Sequence, residues 1–210
     1  MALLNFKKSK DQPAPIKDFN GLLSGFSMEI MPRTAEKVES FSNILPKDTL
    51  IYIAHIDGTS IDDMVRTAVR LGNEGFKVMP HFPARTIKDK PTLSDWIDRY
   101  VSEAGVKQAL LLAGGIDTPK GSFDSSMQSL ETELFDKYGF TDLNVAGHPE
   151  GNNDIDPDNT NKNVDMALDW KQKFSERTDA NMGITTQFAF DSVDRKSTRL
   201  NSSHQIISYA

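Results

Sequence analysis

The sequence contains no cysteine, which excludes disulfide bonds and thiolate metal sites. It also lacks a basic excess: 24 Lys and Arg against 30 Asp and Glu give a formal net charge of −6, so nucleic-acid binding is not expected. No apolar run approaches the roughly 18 residues of a membrane helix, and no apolar stretch follows the first lysines as in a secretory signal. These absences favour a cytoplasmic protein that binds neither nucleic acid nor membranes.

The sequence does contain an alternation of short apolar runs and helical patterns. The runs occupy residues 25–30, 49–56, 76–82, 107–115, 142–148 and 181–190. Their nearly continuous apolar character is typical of parallel strands that are buried on both faces. Six such runs with helical segments between them predict an α/β fold with a parallel sheet over residues 21–192, after a polar lead-in over residues 1–20.

Apolar residues recur at helical spacing in the segments between the strands. Ser60 is the predicted N-cap of one helix, and Thr92, in a capping box with Asp95, is the predicted N-cap of the next. The stripe from Met127 to Tyr138 predicts one further helix. The last apolar stripe comprises Val164, Ala167, Leu168 and Lys171.

Two α/β architectures compete for this pattern. A dinucleotide-binding open sheet needs a G-x-G-x-x-G turn after its first strand, and "SMEIMPRT" has none. A (β/α)8 barrel gathers its chemistry at the carboxyl ends of its strands, where this sequence has polar groups. Those groups are Glu29, His55, His81, Gly114–Gly115, His148 with Glu150, and Gln187. We therefore predict a parallel (β/α)8 TIM-type barrel with about six β/α units present. We expect this fragment to be inactive on its own because its sheet edges are open.

Residues 193–210 differ in composition from the rest of the chain. The segment "VDRKSTRLNSSHQIISYA" is rich in Ser, Arg and Asn, and it resembles the peptide that a translated library adapter gives. We interpret it as a non-native tail and exclude it from the fold. A genuine polar tail with a short apolar end is the alternative.

Four strand-end motifs together resemble the methylenetetrahydrofolate reductase family. "SMEIMPRT" is similar to the family's first strand, S-F-E-F-F-P-P, and "VMPHF" is similar to its third strand, which ends in Pro-His. "VAGHPEGN" is similar to the fifth-strand motif A-x-Y-P-E-x-H, and "ITTQFAFD" is similar to the sixth-strand motif I-T-Q-x-x-F-D. The resemblance covers residues 27–191.

The resemblance implies a flavin-dependent barrel that reduces 5,10-methylenetetrahydrofolate to 5-methyltetrahydrofolate. The implied cofactor is FAD, and the implied electron donor is NADH or NADPH. The small-molecule folate is the implied partner. The direction of the reaction stays open, and oxidation of methyl groups is one option. Assembly of the full-length parent into a homo-oligomer also stays open.

By this resemblance, Glu29 is the general acid that protonates a folate nitrogen as the methylene bridge opens. The residues around it agree, because a carboxyl among Met28, Ile30 and Met31 loses hydration. We expect this desolvation to raise the pKa of Glu29 and to keep a proton available near neutral pH. The alternative is a strand Glu that faces solvent or pairs with a neighbouring Arg such as Arg33.

The resemblance also assigns contacts to the substrate and the cofactor. Gln187 is expected to bind the pterin ring through its paired amide donor and acceptor. The expected flavin contacts are His55, His81, Gly114, His148 and Lys173. Each has a structural alternative: an amide bonded to backbone, a histidine satisfied within the barrel, or a solvated helix lysine.

The fourth strand departs from the family, which has Arg-Gly-Asp at this strand end. Here the residues are Ala113, Gly114 and Gly115, so the middle glycine still allows close backbone approach to a flavin. The arginine and the aspartate are both missing. Asp117 is a candidate replacement for the aspartate, with a turn role before Pro119 as the alternative.

Two further function classes remain open. Histidines and carboxylates at the barrel mouth are good ligands for Zn or Fe, as in a metal-dependent barrel hydrolase. The sequence has neither an H-x-H pair on the first strand nor H-E-x-x-H, so we assign no metal ligand. A barrel that binds folate or flavin without turnover is the third class.

Overall fold

The computed structural model describes residues 25–186, and its six strands form one sheet in chain order. Every neighbouring pair of strands is parallel. The strands are β1 (Ser27–Ile30), β2 (Leu50–Ile53), β3 (Lys77–Pro83), β4 (Gln108–Leu112), β5 (Asp142–Gly147) and β6 (Asn181–Thr186). Each overlaps one predicted apolar run, so the predicted α/β fold with a parallel sheet is confirmed.

Helical segments alternate with the strands. They are α1 (Pro32–Ala35), α2 (Ile61–Asn73), α3 (Lys90–Ala104), α4 (Ser126–Leu130), α5 (Leu134–Lys137) and α6 (Lys162–Ser175). The prediction of a single helix from Met127 to Tyr138 is wrong, because a turn at residues 131–133 separates two short helices, α4 and α5. The Thr132 hydroxyl donates to the Ser129 carbonyl at 2.7 Å, and Glu133 takes a left-handed backbone conformation with φ of 59°.

Side chains cap the N-termini of α2 and α3. Ser60 caps α2 as predicted, because its Oγ accepts from the Asp63 N–H at 3.1 Å. The predicted cap of α3 is wrong by one turn: Asp89, rather than Thr92, is the N-cap. The Asp89 carboxylate accepts from the backbone N–H of Thr92 at 2.9 Å, and Pro91 fits the first turn, where its missing N–H costs nothing.

Alternation along the strands divides the buried side chains into two sets. The outer set packs between the sheet and the helices, and it includes Ile51, Ile53, Phe82 and Leu111, all fully buried. The inner set is much smaller, with the buried side chains of Tyr52, Met79 and Leu110. The central strands β2, β3 and β4 are therefore buried on both faces, as their continuous apolar runs predicted. On β1, β5 and β6 the prediction is wrong for the inner face, where side chains stay partly exposed, and the large core lies only on the helix side.

The sheet is curled into a half-barrel. Asn144 on β5 donates a hydrogen bond to the Tyr52 hydroxyl on β2 at 2.9 Å, although two strands lie between them in the sheet. A flat sheet would hold these residues about three strand spacings of roughly 4.8 Å apart along the surface. The curl brings the inner side chains of distant strands together, and we call this inner side of the sheet the concave face.

The predicted lead-in (1–20), the predicted tail (193–210) and the domain boundary at residue 192 lie outside the described residues. Within residues 25–186, no helix combines the length and the apolar character needed to cross a membrane.

Candidate functional site on the concave face

An acid and an imidazole meet on the concave face. In β1, Met28 and Ile30 pack toward the helices, so the residue between them, Glu29, projects to the inner side. Its Oε2 lies 3.2 Å from Nε2 of His81 on β3. The side chains are 31% and 11% exposed, respectively. Nε2 of His81 makes no well-aligned hydrogen bond to the carboxylate, so the two groups are in close polar contact.

The expected rise of the Glu29 pKa is wrong for the free protein. The side-chain interaction with His81 lowers the pKa below its ordinary value of 4.5, burial opposes this, and the charge of His81 lowers it further. The alternative pairing of Glu29 with Arg33 is also absent from the described contacts, because the Glu29 carboxylate contacts His81 instead. Glu29 is therefore held ionised by a neighbour that sequence alone did not place beside it.

A second polar group lies on the same inner face. The Tyr52 hydroxyl accepts from Asn144 Nδ2, and the same amide nitrogen donates to Thr185 Oγ1 of β6 at 3.1 Å. Burial raises the pKa of Tyr52 to about 12, so its hydroxyl is neutral at physiological pH. Tyr52 is 1% exposed and its ring meets the His81 ring edge-on, with centroids 6.3 Å apart.

A cleft opens where β5 ends, and we name it the β5–α6 cleft. It is bounded by 146–149 and by the first turns of α6, and it encloses about 90 Å³. Lys171 of α6 projects into it and donates to the Ala146 carbonyl at 2.7 Å. Burial lowers the pKa of Lys171 to about 8. Burial also lowers the pKa of His148, and the charge of Lys171 lowers it further, so this imidazole is neutral at physiological pH.

Replacing Lys171 with Met is expected to stabilise the protein by about 1–2 kcal/mol at neutral pH, because a buried ammonium is lost along with one hydrogen bond. The folded protein binds its Lys171 proton less tightly than the unfolded chain does. The destabilisation caused by burying the charged Lys171 is therefore complete below the folded pKa of about 8. It decreases as the pH rises toward the ordinary pKa of 10.5. Unfolding free energies measured at about pH 7 and about pH 10 should show the gain of the variant shrinking.

Lys173 provides the matched control for this measurement. It lies on the same helix but is exposed, so Lys173→Met should change stability by less than about 0.5 kcal/mol at both pH values. An equal gain from both variants would show that burial of Lys171 is not the cause.

The remaining predicted cofactor residues do not all converge. His55 lies on the helix side, where its ring stacks on Trp96 with centroids 4.8 Å apart and its Nε2 donates to the Thr59 carbonyl at 3.1 Å. Burial lowers its pKa. Lys173 is exposed on α6, and the structure brings the neighbouring Lys171 into the cleft instead. Gln187 lies outside the described residues.

Gly114 follows β4 in a conformation that requires glycine. Its φ is 103°, and a Cβ at this position would lie 3.1 Å from Cβ of Pro83. Arg85 ties down this loop, since its backbone N–H donates to Ala113 O at 2.8 Å and its Nη1 donates to Ile116 O at 3.2 Å. Asp117 is exposed beyond this anchor.

The sequence placed Glu29, His81 and His148 at strand ends, and the structure puts the first two in contact. Sequence reasoning missed Tyr52, Asn144 and Lys171. Lys171 had a signal, because it continues the apolar stripe of its helix.

No family model matches the chain. Within residues 25–186, no group of three or more His, Asp or Glu side chains is placed to hold a metal ion.

Proposed function

We propose that the chain forms most of a (β/α)8 barrel, and that the full-length protein is a flavin-dependent C1-folate oxidoreductase. The observation that carries the proposal is the Glu29–His81 pair on the concave face, at 3.2 Å. When the methylene bridge of the substrate opens, a folate nitrogen must be protonated. A carboxyl with a neighbouring imidazole can supply that proton. The four strand-end motifs supply the identity of the substrate and the cofactor.

The groups that border the β5–α6 cleft are of the kinds that contact a flavin. The ammonium of Lys171 and the imidazole of His148 border one cleft, which suits the anionic and the aromatic parts of such a cofactor. Gly114 leaves the backbone of the β4 loop without a side chain at the same end of the sheet. Bound FAD, reduced by NADH or NADPH, would supply hydride to the folate carbon.

The protein's own part is the handling of the proton. Glu29 is ionised in the free protein, and 31% of its side chain is still in contact with solvent. A folate ring that covers this surface removes the remaining hydration, and burial already acts to raise the pKa of Glu29. Substrate binding therefore favours the protonated carboxyl, beside the His81 imidazole.

The test is a flavin and folate assay on the purified full-length protein. We expect a flavin absorbance spectrum, loss of that spectrum with NADH or NADPH without oxygen, and its recovery on adding 5,10-methylenetetrahydrofolate. Lys171→Met should weaken FAD retention by at least about tenfold, as loss of one charged contact implies, whereas Lys173→Met should not. The Lys173 prediction as a flavin contact would instead be supported if the second variant lost FAD.

Three results would contradict the proposal. A protein that neither contains nor takes up FAD would exclude the flavin reaction. A protein that binds FAD and folate but never transfers hydride would be a binding barrel. Stoichiometric bound Zn or Fe with hydrolytic activity would favour the hydrolase class, for which Glu29 and His81 supply only two donors within the described part of the chain.

A further inference from the structure

A polar strut crosses the concave face behind the Glu29–His81 pair. It consists of Tyr52 on β2, Asn144 on β5 and Thr185 on β6, and it is joined by hydrogen bonds of 2.9 and 3.1 Å from the Asn144 amide. Tyr52 also interacts with Thr185 through its hydroxyl. The hydroxyl is thus held from the opposite side of the half-barrel, although the ring belongs to β2.

Tyr52 is placed against both members of the pair. It is the ladder partner of Glu29 in the pairing of β1 with β2, so their side chains are neighbours on the concave face. Its ring lies edge-on to His81 at an interplanar angle of 70°. No direct hydrogen bond from Tyr52 to Glu29 or His81 is present among the described contacts, so any effect of Tyr52 on the pair acts through position.

Gly183 makes room for the strut. A Cβ at this position would lie 2.3 Å from Oδ1 of Asn144 and 3.1 Å from its Cγ, far inside contact distance. Any other residue here would push the Asn144 amide away from Tyr52. Gly183 is the ladder partner of Asn144 in the pairing of β5 with β6. Its φ is not positive, so its backbone conformation does not require glycine.

We infer that Tyr52 is a positioning residue for the Glu29–His81 pair. Held by Asn144 and Thr185, its ring keeps the His81 imidazole against the Glu29 carboxylate. An effect of Tyr52 on catalysis rests on the proposed function, whereas its positioning of His81 against Glu29 does not. The strut therefore sets how strongly the acid is held ionised before substrate arrives.

The first test is an NMR titration of the Glu29 carboxyl in ¹³C-Glu-labelled full-length protein, with assignment by Glu29→Gln. The wild-type midpoint is expected below 4.5. Tyr52→Phe removes only the anchored hydroxyl, so His81 gains freedom and the Glu29 midpoint should rise by about half a unit. Tyr100→Phe is the matched control, because the Tyr100 hydroxyl is buried without a hydrogen-bond partner within the described part of the chain.

Gly183→Ala perturbs the strut without touching Tyr52. It should raise the Glu29 midpoint as Tyr52→Phe does, and the double variant should show no more than the larger single effect, because both changes release the same hydroxyl. If Tyr52→Phe fails to fold, Gly183→Ala alone decides. The inference is overturned if the midpoint in Tyr52→Phe matches that in Tyr100→Phe, or if the two strut variants act additively.

A kinetic arm separates this inference from the proposed function. In the full-length protein, Tyr52→Phe should lower kcat for folate about threefold to tenfold with little change in KM or in flavin reduction, since substrate contacts are untouched. The titration needs neither flavin nor folate. A wild-type protein without folate turnover would therefore defeat the proposed function, while an unshifted Glu29 midpoint in an active Tyr52→Phe variant would defeat the positioning role.

Discussion

Replacing Glu29 with Gln in the full-length protein is expected to lower folate turnover by about 10²-fold or more, the usual contribution of a general acid. The amide keeps the size of the side chain but cannot deliver a proton. Reduction of the flavin by NADH or NADPH should stay within about twofold of wild type, because that half-reaction needs no acid at the folate nitrogen. Stopped-flow measurement of the two half-reactions separates the effects.

Glu36→Gln is the control for this prediction. Glu36 follows α1 and is exposed, so the same chemical change there should leave both half-reactions unaltered. Equal loss of both half-reactions in Glu29→Gln would indicate a damaged cofactor site. Unchanged folate turnover in Glu29→Gln would remove Glu29 from the reaction altogether.

Phe82→Ala is expected to lower the free energy of unfolding by about 3–5 kcal/mol, the usual cost of removing a large buried aromatic side chain. Phe82 is fully buried at the centre of an aromatic cluster on the outer face of β3. Its ring centroid lies 5.3 Å from that of Tyr100 on α3, 5.2 Å from that of Phe135 on α5 and 6.4 Å from that of Phe140. Urea denaturation gives the measurement.

Phe26→Ala is the matched control, because Phe26 is 38% exposed and precedes β1. It should cost less than about 1 kcal/mol. A similar loss from both variants would mean that the outer cluster is not the main source of stability. The inner strut should be comparatively tolerant, since few apolar side chains pack on that side.

The strands and their parallel order could be predicted because a strand buried on both faces is apolar at nearly every position. The inward direction of Glu29 was also within reach, since Met28 and Ile30 flank it and alternate side chains face opposite ways. Helix ends were harder. Asp89 outcompetes Thr92 as the cap of α3, and Glu133 breaks a stripe that contains neither Gly nor Pro.

The partners within the site could not be predicted. His81 reaches Glu29 only because β3 curves back toward β1, and no local pattern encodes that curvature. The sign of the Glu29 pKa shift depends on this contact, so reasoning from apolar neighbours alone gave the wrong direction. Choosing between Lys171 and Lys173 was within reach of helical periodicity, because only Lys171 continues the apolar stripe.

The bond between Tyr52 and Asn144 joins residues 92 positions apart, and this spacing has a consequence for biosynthesis. Each strand pairs with the one made just before it, so β1 to β4 can assemble unit by unit as the chain emerges from the ribosome. The bond that ties β2 to β5 across the concave face can form only once β5 has left the exit tunnel. Until then Tyr52 on β2 lacks the hydrogen bond that the Asn144 amide donates from the opposite side of the half-barrel.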